Sequence, residues 1–173
     1  MPIPQINEHF SELVYSVILE DQELIIKDDF KTEEHWNCKT QTSNYEPHIV
    51  YPKLTKEIEH HVNSLAYTLG SDYHYKPTSS WVNKASKGDY QEYHNHPENT
   101  FSAIYYHQIL SGNLVIRNDF HMKQLKNIND NFFNAETYTY RPVKNELIIF
   151  RSHLLHMVTP CNEERITIAM NFD

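Results

Sequence analysis

Three histidines, an arginine and a threonine are the residues of this chain most able to do chemistry together. His94 and His96 form an H-x-H pair in YHNHPENTFSAIYY, and His156 lies near the far end in IIFRSHLLHMVTPCNEERITIAMNF. Twelve of the 173 residues are histidine, so an H-x-H pair alone carries little weight. Its weight comes from the other residues. His156 precedes the strand-like MVTP, and Arg165 heads the apolar run RITIAMNF. Imidazoles brought from two strand ends can occupy one face of a first-row metal and leave positions open for substrate. Arg165 adds a permanently charged fork suited to a carboxylate. Thr167, two residues along the same strand, points to the same side and can donate its hydroxyl to that carboxylate. The pattern reads as a metal centre with an anion site beside it.

Each residue also has a plainer reading. His94 and His96 suit an exposed polar turn, and Arg165 suits a surface position beside Asn162, Glu163 and Glu164. The head of an apolar strand favours an inward arginine. His153 shares a loop with His156 and reads as a surface residue or a partner of the ligands. A second register is open as well, because His96-Pro97-Glu98 is itself H-x-E. His96, Glu98 and His156 would then form the usual set of two histidines and one carboxylate, although Pro97 favours a turn there. Tyr105 and Tyr106 must face opposite ways on one strand. Trp81 and Phe101 read as core, and the helix residues Glu57, Glu59, His60 and His61 as a solvated face.

The elements that must position these residues are of two kinds. In LTKEIEHHVNSLAYTLG, Leu54, Ile58, Val62, Leu65, Ala66 and Leu69 recur at three- and four-residue steps and Gly70 follows. That predicts an amphipathic helix over 54–69 with a glycine stop. SELVYSVIL, residues 11–19, is apolar and β-branched enough for a strand. Beyond the helix the texture changes to SSWVNKA, FSAIYYHQIL, GNLVIRN, TYTYRPV, ELIIFR, HMVTP and RITIAMNF. These are short β-branched and aromatic runs divided by polar turns. The order predicts a mainly-β fold, an eight-stranded jelly roll with one or two buttressing N-terminal helices. An immunoglobulin-like sandwich fits less well, since no Cys–Trp–Cys spacing is present. With no linker or repeat, residues 1–173 read as one domain: a strand-and-helix buttress over 1–76 and a catalytic core over 77–173.

Composition narrows the function classes. A net charge of −8 without any basic run argues against a nucleic-acid backbone as partner. Cys38 and Cys161 are the two cysteines, which suits a reduced, cytoplasmic protein better than a disulfide framework. The start MPIPQINEHFSELV lacks the features of a signal peptide, and no apolar run reaches the length of a membrane span. The oligomeric state is not legible.

The order of motifs resembles the iron(II)/2-oxoglutarate dioxygenases, which carry H-x-D/E, a distal histidine, and a basic residue about ten positions later, often as R-x-S/T. Here Arg165 lies nine positions past His156 and is followed by Thr167. Residues 80–173 are most similar to a subgroup of 2OG-Fe(II) oxygenases with an H-x-H-P motif. Trp81, Asn83, Gly88, His94, His96, Pro97, Ser102, Tyr105, Tyr106, His156, Arg165, Thr167 and Asn171 fit its pattern, and a prolyl-hydroxylase-type core is a more distant likeness. The resemblance implies a double-stranded β-helix with Fe(II) on His94, His96 and His156. It implies 2-oxoglutarate held at its C5 carboxylate by Arg165, Thr167 and Tyr106. The expected reaction consumes O2, releases succinate and CO2, and hydroxylates a peptide, an amino acid or a small metabolite. The subgroup's spacings favour His94/His96 over the Glu98 register. Two other classes stay open: a cupin-like three-histidine metalloenzyme of Fe, Mn or Zn that does not use 2-oxoglutarate, and a non-catalytic jelly-roll module.

Overall fold

Alternation along the last strand organises the molecule. In Arg165–Phe172 the side chains of Ile166, Ile168, Met170 and Phe172 pass to one face, and those of Arg165, Thr167, Ala169 and Asn171 to the other. Both faces are buried, so the polar set points into the protein rather than into water. The computed structural model describes residues 12–35, 37–117 and 137–173. In chain order the elements are β1 (Val14–Ile18), β2 (Phe30–His35), β3 (Cys38–Ser43), α1 (Pro47–Val50), α2 (Pro52–Thr68), β4 (Pro77–Ala85), β5 (Tyr90–His94), β6 (Phe101–Ile109), β7 (Leu114–Arg117), β8 (Thr137–Tyr140), β9 (Glu146–Arg151), β10 (His156–Val158) and β11 (Arg165–Phe172).

The strands pair antiparallel in the order β1-β9-β6-β11-β4-β3-β5-β10-β7-β8, with β2 attached to β3. The sheet curls so that β5 and β10 bring their histidines to the inner face of β4, β11 and β6. This is a mainly-β jelly roll, the architecture the strand pattern predicts. The strand count differs, with eleven among the described residues instead of eight. β2, β3 and β5 are the additions. They read FKTEEH, CKTQTS and YQEYH, with little apolar alternation, because much of their side-chain surface stays in solvent. Pairing makes them strands: β3 joins β4 through Gln41↔Lys84 and Thr42↔Asn83, and β5 through Cys38↔Gln91 and Lys39↔Tyr90.

Helix α2 follows the predicted periodicity closely. Leu54, Ile58, Val62, Leu65 and Ala66 are buried along one stripe. Pro52 occupies the first turn, where its missing N–H costs nothing. At the other end Gly70 adopts φ +86°; its N–H reaches the Tyr67 carbonyl and the Ser71 N–H reaches that of Ala66, each at 3.0 Å. The stripe packs on Val82, Phe101, Tyr105, Leu147, Ile168 and Met170, which form the outer face of the sheet. A smaller cluster of Tyr106, Leu114, Ile116, Ile148, Phe150 and Leu154 closes the inner face. Tyr105 and Tyr106 therefore separate to opposite faces. Among the described residues no helix is long and apolar enough to cross a membrane.

Candidate metal centre

The end of β5, the turn after it and the start of β10 carry the three histidines. His94 ends β5 and is the direct cross-strand partner of His156, which opens β10. His96 follows two residues later, beyond the end of β5. One ring nitrogen of each lies within 4.8 Å of the others, close enough for small ring rotations to bring all three onto one ion. Ring centroids are 4.3 Å apart for His94 and His156, and 5.3 and 5.4 Å from His96 to each.

Local hydrogen bonds set the ring tautomers. His94 Nδ1 lies 2.8 Å from the Glu92 carbonyl, and His156 Nδ1 lies 2.9 Å from the Leu154 carbonyl. A carbonyl only accepts, so each Nδ1–H donates, and in the neutral ring this leaves the Nε2 lone pair for the cavity. Burial, then the neighbouring His94, pushes the His96 imidazole down to about 4. The same two causes push His156 down to about 3, against a weaker upward pull from the Leu154 carbonyl. Both rings are neutral at neutral pH, the form a metal binds.

The opposite wall is a row across three strands. Thr167 on β11 is in register with Tyr106 on β6 and with Asn83 on β4, and Arg165 lies one pleat away. All four are buried: Arg165 is 2% exposed, and Tyr106, Thr167 and Asn83 are similarly enclosed. No carboxylate among the described residues lies within ion-pair distance of Arg165, and its Nε has no hydrogen-bond partner. The Asn83 Oδ1 is also without one. Burial raises the Tyr106 phenol pKa well above its ordinary value, outweighing the opposing charge of Arg165, so its hydroxyl stays a donor. These side chains and the three imidazoles line one cavity.

The remaining sequence candidates fall elsewhere. Glu98 is exposed in the turn and outside the three-histidine cluster. His153 reaches Glu12 at 3.2 Å on the surface. Phe101 is core, as read. Trp81 is not: it faces the cavity, its ring 5.5 Å from that of His96. The correction follows from register, since Trp81 shares the face of Ser79 and Asn83 while Val82 takes the helix side. Asn83, Ser102 and Asn171 also line the cavity. The sequence singled these three out only as positions in a pattern, and the alternation of β4, β6 and β11 was the signal for them.

The sequence model of the family described as “Putative 2OG-Fe(II) oxygenase” matches residues 79–173, more than half of the chain. The chain belongs to this family of 2OG-Fe(II) oxygenases. None of the curated proteins matches the sequence. The chain is similar in structure to a prolyl-4-hydroxylase from Pseudomonas putida at 13% identity, covering 84% of this chain and 77% of that one with a TM-score of 0.61. It is similar to a prolyl hydroxylase from Trichoplax adhaerens, solved with a peptide fragment of a hypoxia-inducible-factor oxygen degradation domain, at 14% identity, 84% and 70% coverage and a TM-score of 0.57. A 2OG-Fe(II) oxygenase family protein from Burkholderia pseudomallei matches 63% of the chain at 14% identity and a TM-score of 0.50; the match spans 48% of that protein, about half its length. At these identities the likeness is one of fold.

Proposed function

We propose that this oxygenase binds Fe(II) through His94, His96 and His156, binds 2-oxoglutarate beside it, and hydroxylates a peptide, amino acid or small metabolite with release of succinate and CO2. The observation that carries the reading is Arg165. It is a buried cation with no carboxylate partner among the described residues, on the wall facing three imidazoles in one cavity. An uncompensated buried charge costs several kcal/mol, so this arrangement calls for an anion to complete it. The donor set fits both groups. Three imidazole nitrogens suit iron(II), and a guanidinium with two hydroxyls and a carboxamide suits a carboxylate.

Iron(II) and 2-oxoglutarate, when bound, supply oxygen activation coupled to loss of CO2 from the oxo acid. The protein's part is to bind and orient. Arg165 would present its fork to the C5 carboxylate while the Tyr106 and Thr167 hydroxyls donate to the same group. Its walls keep bulk water from these contacts, which strengthens each of them. Three neutral ligands leave the metal's full 2+ charge in place, increasing its attraction for a dianion. Two of the structural neighbours are prolyl hydroxylases, one solved with a peptide, which supports hydroxylation and keeps peptides among the candidate substrates.

The test is an anaerobic titration of the iron-loaded protein with 2-oxoglutarate. A visible charge-transfer band that saturates at one equivalent is the expected result. Stoichiometric metal with no response to 2-oxoglutarate would instead assign the site to a three-histidine metalloenzyme without this cosubstrate. Absence of stoichiometric metal would leave a non-catalytic module.

A further inference from the structure

His94 and His156 are placed by their strands and locked by their own near carbonyls; His96 has neither aid. It lies past the end of β5, and among the described residues its ring nitrogens have no hydrogen-bond partner. Its backbone is gripped instead. The His96 N–H donates to the Ser152 carbonyl at 2.8 Å, and the Asn99 N–H donates to the His96 carbonyl at 3.0 Å. Trp81 packs against the ring.

Ser152, fully buried just after β9, is held in turn. Its N–H donates to the Thr100 carbonyl at 3.0 Å, and its Oγ lies 2.8 Å from that of Ser102 on β6. The Ser102 hydroxyl spends its proton on Asn171 Oδ1 of β11, at 2.9 Å. Ser152 must therefore be the donor to Ser102. Asn171 Nδ2 continues the chain to Ser79 Oγ on β4 at 3.2 Å. Four polar side chains run across three adjacent strands, in register through Asn171↔Ser102 and Asn171↔Ser79. Apolar side chains would fill the buried part of this row, Ser152, Ser102 and Asn171, at little loss of stability, so a polar chain there calls for another reason.

We infer that the chain Ser152–Ser102–Asn171 positions His96, holding the third imidazole on the metal from outside its own strand. The inference rests on the metal site proposed above. Partners behind metal ligands orient the ligand, and losing one typically lowers metal affinity by about 10- to 100-fold. These are positioning residues, acting on His96 through the Ser152 carbonyl.

Co(II) is the probe, with affinity read by chelator competition, geometry by visible absorption, and fold by the melting temperature of the metal-free protein. In Ser102→Ala and in Ser102→Ala/Ser152→Ala, affinity should fall about 10- to 100-fold and the spectrum should move toward that of His96→Ala. The double variant removes the Ser152–Ser102 pair but leaves Asn171 Oδ1 without its donor, so it should fold with a melting temperature modestly below wild type, no lower than that of Ser102→Ala. Ser102→Thr, which keeps the hydroxyl, should restore affinity. Introduced into His96→Ala, Ser102→Ala should cost no further affinity, because its route of action is already gone. Equal losses in both backgrounds, or wild-type affinity and spectrum in the double variant, would overturn the inference while leaving the metal site standing. A wild-type protein that binds no Co(II), or His96→Ala at full affinity, would remove the metal reading and this inference together.

Discussion

Arg165 is the residue whose environment is hardest to explain without a ligand. It is enclosed at the head of β11, unpaired by any carboxylate among the described residues, and its Nε is orphaned. Arg165→Ala should weaken 2-oxoglutarate binding by roughly 100-fold, since removing one partner of a charge-assisted pair costs about 3 kcal/mol, while Co(II) or iron binding persists. Lysine should recover only part, because a point charge lacks the fork. Equal cosubstrate affinity in wild type and Arg165→Ala would take the arginine out of the site. The third ligand is a separate residue-scale matter. Glu98 is exposed in the turn and His96 is in the cluster, so Glu98→Gln should leave iron content and succinate release near wild type. His96→Asp should retain more metal than His96→Ala but less than wild type, because aspartate reaches less far from the backbone than an imidazole. A severe Glu98→Gln defect beside a mild His94→Ala one would reverse this assignment.

Helix α2 and the loop before β7 illustrate what elements contribute. Ile58 is wholly buried between the helix and the outer sheet face, far in role from the cavity. Ile58→Ala should destabilise by about 2–5 kcal/mol in urea unfolding, with 2-oxoglutarate affinity unchanged below the transition. A comparable loss of affinity would mean that the helix tunes the site directly. Gly112 couples loop to site more tightly. Its φ is +90°, and a Cβ there would meet Cys161 Sγ at 2.8 Å and Arg165 Nη1 at 3.4 Å. Gly112→Ala therefore combines a strained backbone with a displaced arginine. A stability loss of about 1–3 kcal/mol, together with weaker cosubstrate binding, is expected from denaturant and titration measurements. Unchanged affinity would show that Arg165 can shift without consequence.

Across the whole molecule, burial suppresses the protonation of several imidazoles. His61, His96, His107 and His156 all titrate below their ordinary value, each chiefly because burial penalises the charged ring. The unfolded chain takes up protons near pH 6.5 that these folded histidines refuse. Their contribution to stability is thus complete above that pH and is lost as pH falls toward the folded values, about 4 for His96 and about 3 for His156. The metal-free protein should melt several degrees lower at pH 5 than at pH 7.5, on the order of 2–4 °C for each kcal/mol lost. A melting temperature independent of pH across that window would show that the folded imidazoles protonate freely.

The sequence by itself determined the elements whose own residues alternate or recur. Helix α2, its glycine stop and the apolar strands were legible because burial selects side chains at periods of 3.6 and 2. The candidate ligands His94, His96 and His156 and the pair Arg165 and Thr167 were legible because metal and carboxylate chemistry restricts residue type and spacing. Tertiary structure decided the rest. The polar strands β2, β3 and β5 exist through their pairing, which no local period records. Trp81 reads as core in the sequence, yet register turns it toward His96. Asn83, Ser102 and Asn171 look like ordinary polar strand residues until the curled sheet buries their face. Ser102 and Asn171 are linked to Ser152, whose carbonyl accepts the His96 N–H, by hydrogen bonds that form only on folding.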